Sequence, residues 1–268
     1  MNFFSLDLIK KILKTLYNFA YFIFIKLLLY FFAFIIVLFV KSIKFKIFIR
    51  FGEFRSDVIG NSVTNLDYYL TRKKNEEKNN IKKYDFFYPS FTPHPNKQFF
   101  IMAKRSIRLH WFNRYLFDVC NNISLFNNHT ITMTPLKPTW NKKGISRDNK
   151  GLVHHADSNF FFTKNEVRKG KNFLKDFGIK ETEKFICVLQ RDNNYKSYQK
   201  KINPNYLDQE YRNSSLKDYE KTIIEMAKKG YWIFRMGKSV KDKLNLYHPK
   251  VIDYACSDRR SDFLDIWL

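Results

Sequence analysis

From Phe19 to Val40 the chain is apolar for 22 residues with one charged interruption, Lys26. As a helix rising ~1.5 Å per residue, that run reaches about 33 Å, enough for a hydrocarbon core. Near a helix centre Lys26 costs roughly 3 kcal/mol, whereas the 17 Leu, Ile, Phe and Val side chains of the run, at about −0.4 kcal/mol each, return roughly −7. A lysine can also extend its ammonium toward the headgroups. Insertion wins, and the pattern predicts one membrane helix. The run is longer than the apolar stretch of a secretory signal and is followed by Lys41, Ser42, Ile43 and Lys44 rather than by small residues. Residues 1–44 therefore read as an uncleaved anchor. A helix lying in the interface, or a re-entrant hairpin bent at Lys26, is the competing reading. Lys10, Lys11 and Lys14 before the run nearly balance Lys41, Lys44, Lys46 and Arg50 after it, which leaves orientation open.

Beyond the anchor, strand and helix patterns alternate. Phe45 to Phe51 reads as a strand, and Thr64 with Asp67 as the start of a helix whose inner face is Leu66, Tyr69 and Leu70. Arg72 to Lys83 is charged and core-poor, and Tyr84 to Tyr88 is a second strand. Pro89, Pro93 and Pro95 mark a loop before the apolar-rich segment Phe99 to Phe126, and Pro135 to Lys150 reads as an exposed basic loop. In the second half Thr163 and Glu166 form a capping box for a helix carrying Val167, Phe173, Leu174 and Phe177, with Gly178 as its stop. Phe185 to Leu189 is a continuous apolar run of the kind buried on both faces of a parallel sheet. Ser215 with Asp218 opens a helix through Lys229 with Ile223, Ile224 and Ala227 inward, and Gly230 ends it. Strands Tyr231 to Phe234 and Val251 to Tyr254 follow, and Ser261 begins a last helix. This alternation predicts an α/β chain of two Rossmann-like lobes behind the membrane helix: an N-terminal lobe over 45–160 and a C-terminal lobe over 161–268. The final apolar residues are expected to lack a partner, making the second lobe incomplete.

Composition narrows the classes. The 268 residues hold 48 Lys plus Arg against 25 Asp plus Glu, a net +23, and 45% apolar residues, so a core is available and intrinsic disorder is excluded. Only 8 glycines occur, none at phosphate-loop or GxGxxG spacing, which argues against Walker-type nucleotide hydrolysis. Cys120, Cys187 and Cys256 stand far apart, offering no disulfide framework and favouring a cytosolic location for the soluble part. On that reading the Asn-x-Ser/Thr triplets at Asn122, Asn128 and Asn213 are chance matches. Positive charge suits an anionic membrane surface or nucleic acid, and equally follows from codon drift in an AT-rich genome. No nucleic-acid-binding motif accompanies it, so nucleic acid is not expected as a partner.

Ligands of open α/β sheets sit outside the carboxyl ends of the strands. Gln190, Arg191, Asp192, Asn193, Asn194 and Tyr195 follow the apolar run; Arg235, Met236 and Gly237 directly follow the next strand; Asp253 and Tyr254 lie at the third. A guanidinium there can chelate a diphosphate and a carboxylate can accept from a sugar hydroxyl. A simple loop ion pair between Arg191 and Asp192 is the alternative. Tyr211, Arg212, Asn213 and Ser214 precede a helix N-terminus, a place suited to an anion, with Ser214 or Ser215 as a plain N-cap reading the same stretch. His154 and His155 beside Asp157 form the most conspicuous His cluster, more often surface than catalytic; His94, His110, His129 and His248 are isolated, and none has zinc-site spacing. Trp111, Trp140, Trp232 and Trp267 are candidates for stacking or, more commonly, for packing.

In their order, Leu189-Gln190-Arg191-Asp192 with Tyr195, Tyr211-Arg212-Asn213-Ser214, Arg235-Met236-Gly237, Ile252-Asp253-Tyr254 and Ser261-Asp262-Phe263-Leu264-Asp265 resemble a bacterial family of glycosyltransferases of surface-polysaccharide loci. The resemblance covers Phe161 to Leu268 well and the first half weakly, where Gly60-Asn61 stands roughly where the family carries Gly-His. Such proteins resemble the two-lobed GT-B architecture and, more distantly, the fucosyltransferases. The resemblance implies a nucleotide-sugar donor as substrate without a further cofactor and a glycan or lipid-linked glycan as acceptor. It also implies an acceptor side in the first lobe and a donor side in the second, where Arg191, Asp192, Arg212, Asn213, Arg235, Gly237 and Asp253 would line the donor site. Gln190 stands where a histidine is expected, and the family continues past Leu268 into a Gly/Ser-containing donor loop. No Asp-x-Asp occurs, so a metal-independent reaction is expected; no catalytic base is assigned. The other functional class that fits is a non-catalytic basic protein of the membrane surface.

Overall fold

The computed structural model describes residues 3–76, 82–90, 94–133, 148, 151–154, 156–192, 194 and 210–268. They fall into two compact units, Met1–Pro95 with Phe100–Phe160, and Asn96–Phe99 with Phe161–Leu268.

The first unit opens on α1, Phe3–Ser42, a single 40-residue helix. Its segment Tyr17–Ser42, within which an 18-residue stretch reaches a mean hydropathy of 2.9, is long and apolar enough to cross a membrane. The helix is continuous through Lys26 and begins well before the apolar run. Its last three turns have a second role: Ala33, Val37 and Val40, spaced to share one face, are buried with Leu116, Val119 and Cys120. A short turn, with Ile47 N donating to Ile43 O at 3.1 Å, leads into β1, Ile47–Phe54. That strand starts later than its apolar pattern predicts because Phe45 lies in the turn, 79% exposed.

Next come α2 (Ile59–Glu76), β2 (Lys82–Pro89), α3 (Lys97–Ser106), β3 (Arg108–Leu109), α4 (Asn113–Asn122), a 3-10 turn over Ser124–His129, and β4 (Thr130–Ile131). The expected cap at Thr64 is corrected: α2 is already formed there, and Thr64 Oγ1 donates back to Gly60 O at 2.8 Å. All strand pairs are parallel, in the order β3-β2-β1-β4. Reversal of strand order places a switch point between β1 and β4. The two backbones approach closely there, since a Cβ on Gly52 would stand 2.6 Å from Ile131 O. A buried network ties β1, β2 and α2 together: Asp85 accepts from Arg50 Nε (2.7 Å) and Nη2 (3.1 Å) and from Tyr69 Oη (2.6 Å), with Lys73 Nζ at 3.4 Å.

The second unit contains α5 (Lys164–Asp176), β5 (Phe185–Leu189), α6 (Lys217–Lys228), β6 (Trp232–Met236), β7 (Val251–Ile252) and a final short helix α7 (Leu264–Trp267). The capping box forms as its spacing predicts: Thr163 N donates to Glu166 Oε2 at 2.7 Å and Glu166 N to Thr163 Oγ1 at 3.3 Å. Helices α5 and α6 are followed by Gly178 and Gly230 at φ 75° and 98°, left-handed conformations that a glycine takes without strain. The sheet is parallel in the order β5-β6-β7. Two expectations change. The apolar run Phe185–Leu189 is not buried on both faces: among the described residues β5 pairs only with β6, and Leu189 is 72% exposed. The terminal apolar residues do have partners: Phe263 and Leu264 are buried with Phe173, Phe234 and Tyr254, and Trp267 lies so close on α5 that a Cβ on Gly170 would overlap its indole.

Candidate functional site

The carboxyl ends of β5 and β6 position most of the residues the sequence singles out. Directly after β5, Gln190 is buried and its amide Nε2 donates to Arg191 O at 3.0 Å and also to Ser214 O. Ser214 N in turn donates to Arg191 O at 3.1 Å. Where a histidine was expected, Gln190 thus joins two segments far apart in sequence and sets Asn213 and Ser214 beside Arg191. The backbone of Arg191 is fixed while its half-buried side chain makes no hydrogen bond or ion pair among the described residues. Arg212 is exposed at the end of a 3-10 turn, Glu210–Arg212, and Asn213 is half-buried.

Asp192 takes a different part. Its Oδ1 accepts from Asn194 N at 2.9 Å and its Oδ2 from Lys241 N at 2.8 Å, so both oxygens brace backbone. Asn194 adds bonds to Ser239 Oγ (3.1 Å) and Val240 O (2.9 Å). The loops leaving β5 and β6 are thereby bolted to each other. Neither an ion pair with Arg191 nor a sugar-accepting role matches this use of Asp192. Gly237 serves the same loop: a Cβ there would stand 2.5 Å from Val240 Cγ1, and its carbonyl accepts from Arg260 Nε at 3.2 Å.

Arg235 and Asp253 need a correction. Arg235 is 0% exposed, within β6 opposite Val188 rather than beyond the strand. Its Nη1 donates to Asp253 Oδ1 at 3.3 Å, its Nη2 to Asp242 O at 3.0 Å, and its Nε is buried without a hydrogen-bond partner among the described residues. Asp253 Oδ2 accepts from Leu244 N at 2.9 Å. The pair holds the β6–β7 connection, and as it stands neither is presented to a ligand.

Sequence reading passed over the charges of the loops beyond β6 and β7. Lys238 lies 3.4 Å from Asp262, and Arg260 bonds both Asp262 (3.4 Å) and Asp265. Burial would raise the Asp262 carboxyl, but the N–H of Lys97, at 2.8 Å, and the Lys238 and Arg260 charges hold it below the usual carboxylate range. The available signal was the run of basic residues straight after a strand, which alone does not separate a site from a solvated loop.

Among the histidines, His94 stacks on Phe100 with ring centroids 3.4 Å apart, and burial, with Lys104, pushes its pKa down. His129 is buried with Nδ1 2.6 Å from Ile49 O, and His154 is exposed, whereas His155 lies outside the described residues. Tyr195, Trp140 and most of the Pro135 to Lys150 loop also lie outside them. Trp232 donates to Glu183 Oε1 at 3.1 Å and Trp267 packs on α5, so these two are packing residues; Trp111 is 58% exposed. Two open grooves of about 590 and 620 Å³ flank α5, and neither is lined by Arg191, Arg212 or Gly237. Among the described residues no group of three His, Cys, Asp or Glu side chains is gathered where it could hold a metal ion. Compared with protein-family models, curated proteins and solved structures, the chain matches none.

Proposed function

We propose that this chain is a membrane-anchored glycosyltransferase of GT-B type that moves a sugar from a nucleotide-sugar donor to a glycan or lipid-linked glycan acceptor. The observation that carries the reading is Arg191. It has an immobilised backbone at the carboxyl edge of a parallel sheet, a guanidinium unengaged by the described residues, and the Asn213–Ser214 segment beside it. As a glycosidic bond to a nucleotide breaks, negative charge grows on the departing diphosphate, and a fixed planar guanidinium stabilises it with two parallel hydrogen bonds. Arg191 takes that part, Arg212 adds charge, and Asn213 and the Gly237 loop shape the rim. Asp192, Arg235 and Asp253 hold the loops in place. The order of these residues, which resembles the glycosyltransferase family, supports the same reading. The long apolar helix supports residence in the membrane as a single-pass anchor, and three unpaired cysteines favour a cytosolic soluble part.

Charge-assisted bonds of this type contribute roughly 1.5 to 3 kcal/mol each, so Arg191→Ala should weaken nucleotide binding about tenfold or more. The test is calorimetric titration of guanosine and uridine diphosphates into the full chain in detergent, parent against variant. If no nucleotide binds the parent, or if the variant binds equally well, the donor assignment is wrong. The net charge of +23 then favours the second reading, a non-catalytic protein that binds anionic membrane surfaces.

A further inference from the structure

The direction of the chain in the first unit bears on how that unit meets a membrane. Tyr30 Oη donates to Asp118 Oδ2 at 2.8 Å and Lys41 Nζ to Leu125 O at 3.1 Å, so α4 and the turn after it run alongside α1 in the same direction. Helix α4 connects β3 to β4 in a parallel sheet and therefore runs opposite to the strands. The carboxyl ends of the strands thus lie at the Tyr30 end of α1, and the amino ends at the Lys41 end. Before Tyr30, helix α1 is uncovered: Phe19, Phe22, Phe24 and Leu27 are each 58–63% exposed. Any bilayer that receives this apolar segment lies on the side of the carboxyl edge. That edge presents the side chains such a boundary takes. Trp111, just ahead of α4, is 58% exposed, and the side chain of Arg114 is 65% exposed. An indole settles at the headgroup level and a guanidinium pairs with lipid phosphate.

We infer that the first unit is seated on the bilayer by the carboxyl edge of its sheet, with Trp111 and Arg114 among the lipid headgroups and the amino edge, at Lys82, turned to water. The inference rests on membrane residence of α1 and not on the nature of the donor. Spin labels on single cysteines test it, in the full chain reconstituted into phosphatidylethanolamine–phosphatidylglycerol vesicles. Cys187 and Cys256 are exposed and are replaced by Ser, while Cys120 is buried. Labels are placed through Leu28→Cys, Trp111→Cys and Lys82→Cys, with Arg114→Cys as a second reporter of the same edge. Power saturation against oxygen and a water-soluble nickel chelate then reads lipid against water. The expected result is several-fold higher oxygen than nickel accessibility at position 28, comparable accessibilities at 111, and nickel well above oxygen at 82. A water signature at 28 overturns membrane residence and the seating with it. Lipid contact at 28 with water contact at both 111 and 114, or lipid contact at 82, overturns the seating alone.

Discussion

Arg191 and Arg235 end neighbouring strands and have opposite environments, for a reason of register. Val188 pairs with Arg235, so Arg235 is still inside the sheet, on its central strand, while Arg191 lies beyond Leu189 and outside it. A guanidinium enclosed at 0% exposure must be paired, and Arg235 has Asp253 and the Asp242 carbonyl. Removing one partner of a buried pair leaves an uncompensated charge. Arg235→Met should therefore cost roughly 2 to 3 kcal/mol, at the lower side because Asp253 keeps 19% exposure, whereas Arg191→Ala should stay within about 0.5 kcal/mol. Chemical denaturation of the detergent-solubilised chain separates them, and equal effects would refute the division of roles. The sequence shows an arginine near each strand end, but an offset of three residues in register decides which is buried, and apolar patterns do not fix strand ends that closely.

At the scale of elements, the Asp85 network shows how β1, β2 and α2 are held. Burial would raise the Asp85 carboxyl, but bonds from Arg50 and Tyr69 and the charges of Arg50 and Lys73 outweigh it and hold the group below its ordinary value. With a folded pKa lower than the unfolded one, the ionised carboxylate contributes stability above the unfolded pKa, and this is lost as pH falls through the folded one. Urea midpoints should therefore fall on acidification from neutral pH to about 3, and Asp85→Asn should be less stable at neutral pH with a flatter acid dependence. A variant with the parent's acid profile would show that other carboxylates dominate. Helix starts were legible where the cap was local and complete, as at Thr163 and Glu166. Thr64 and Asp67 present the same spacing inside a helix, and only the position of Ile59 after β1 tells the two apart.

For the molecule as a whole, the apolar helix dominates the interaction with solvent. Alkaline carbonate extraction should leave the full chain in the membrane pellet, because the apolar run gains several kcal/mol more than Lys26 costs; a freely soluble chain would end the membrane reading. The sequence by itself determined the apolar helix, the alternation of strands and helices, the caps of α5 and the basic charge. Each of these is a local property, set by side-chain polarity, spacing and backbone preference. Tertiary structure alone decided that the last turns of α1 are also core, since Ala33 and Val37 differ from their apolar neighbours only in facing Leu116 and Cys120. It likewise decided that among the described residues β5 pairs only with β6, that Trp267 covers Gly170, and that Gln190 draws Ser214 to Arg191. These depend on which segments meet across long separations, and a contact between distant segments leaves no periodicity in the sequence from which to read it.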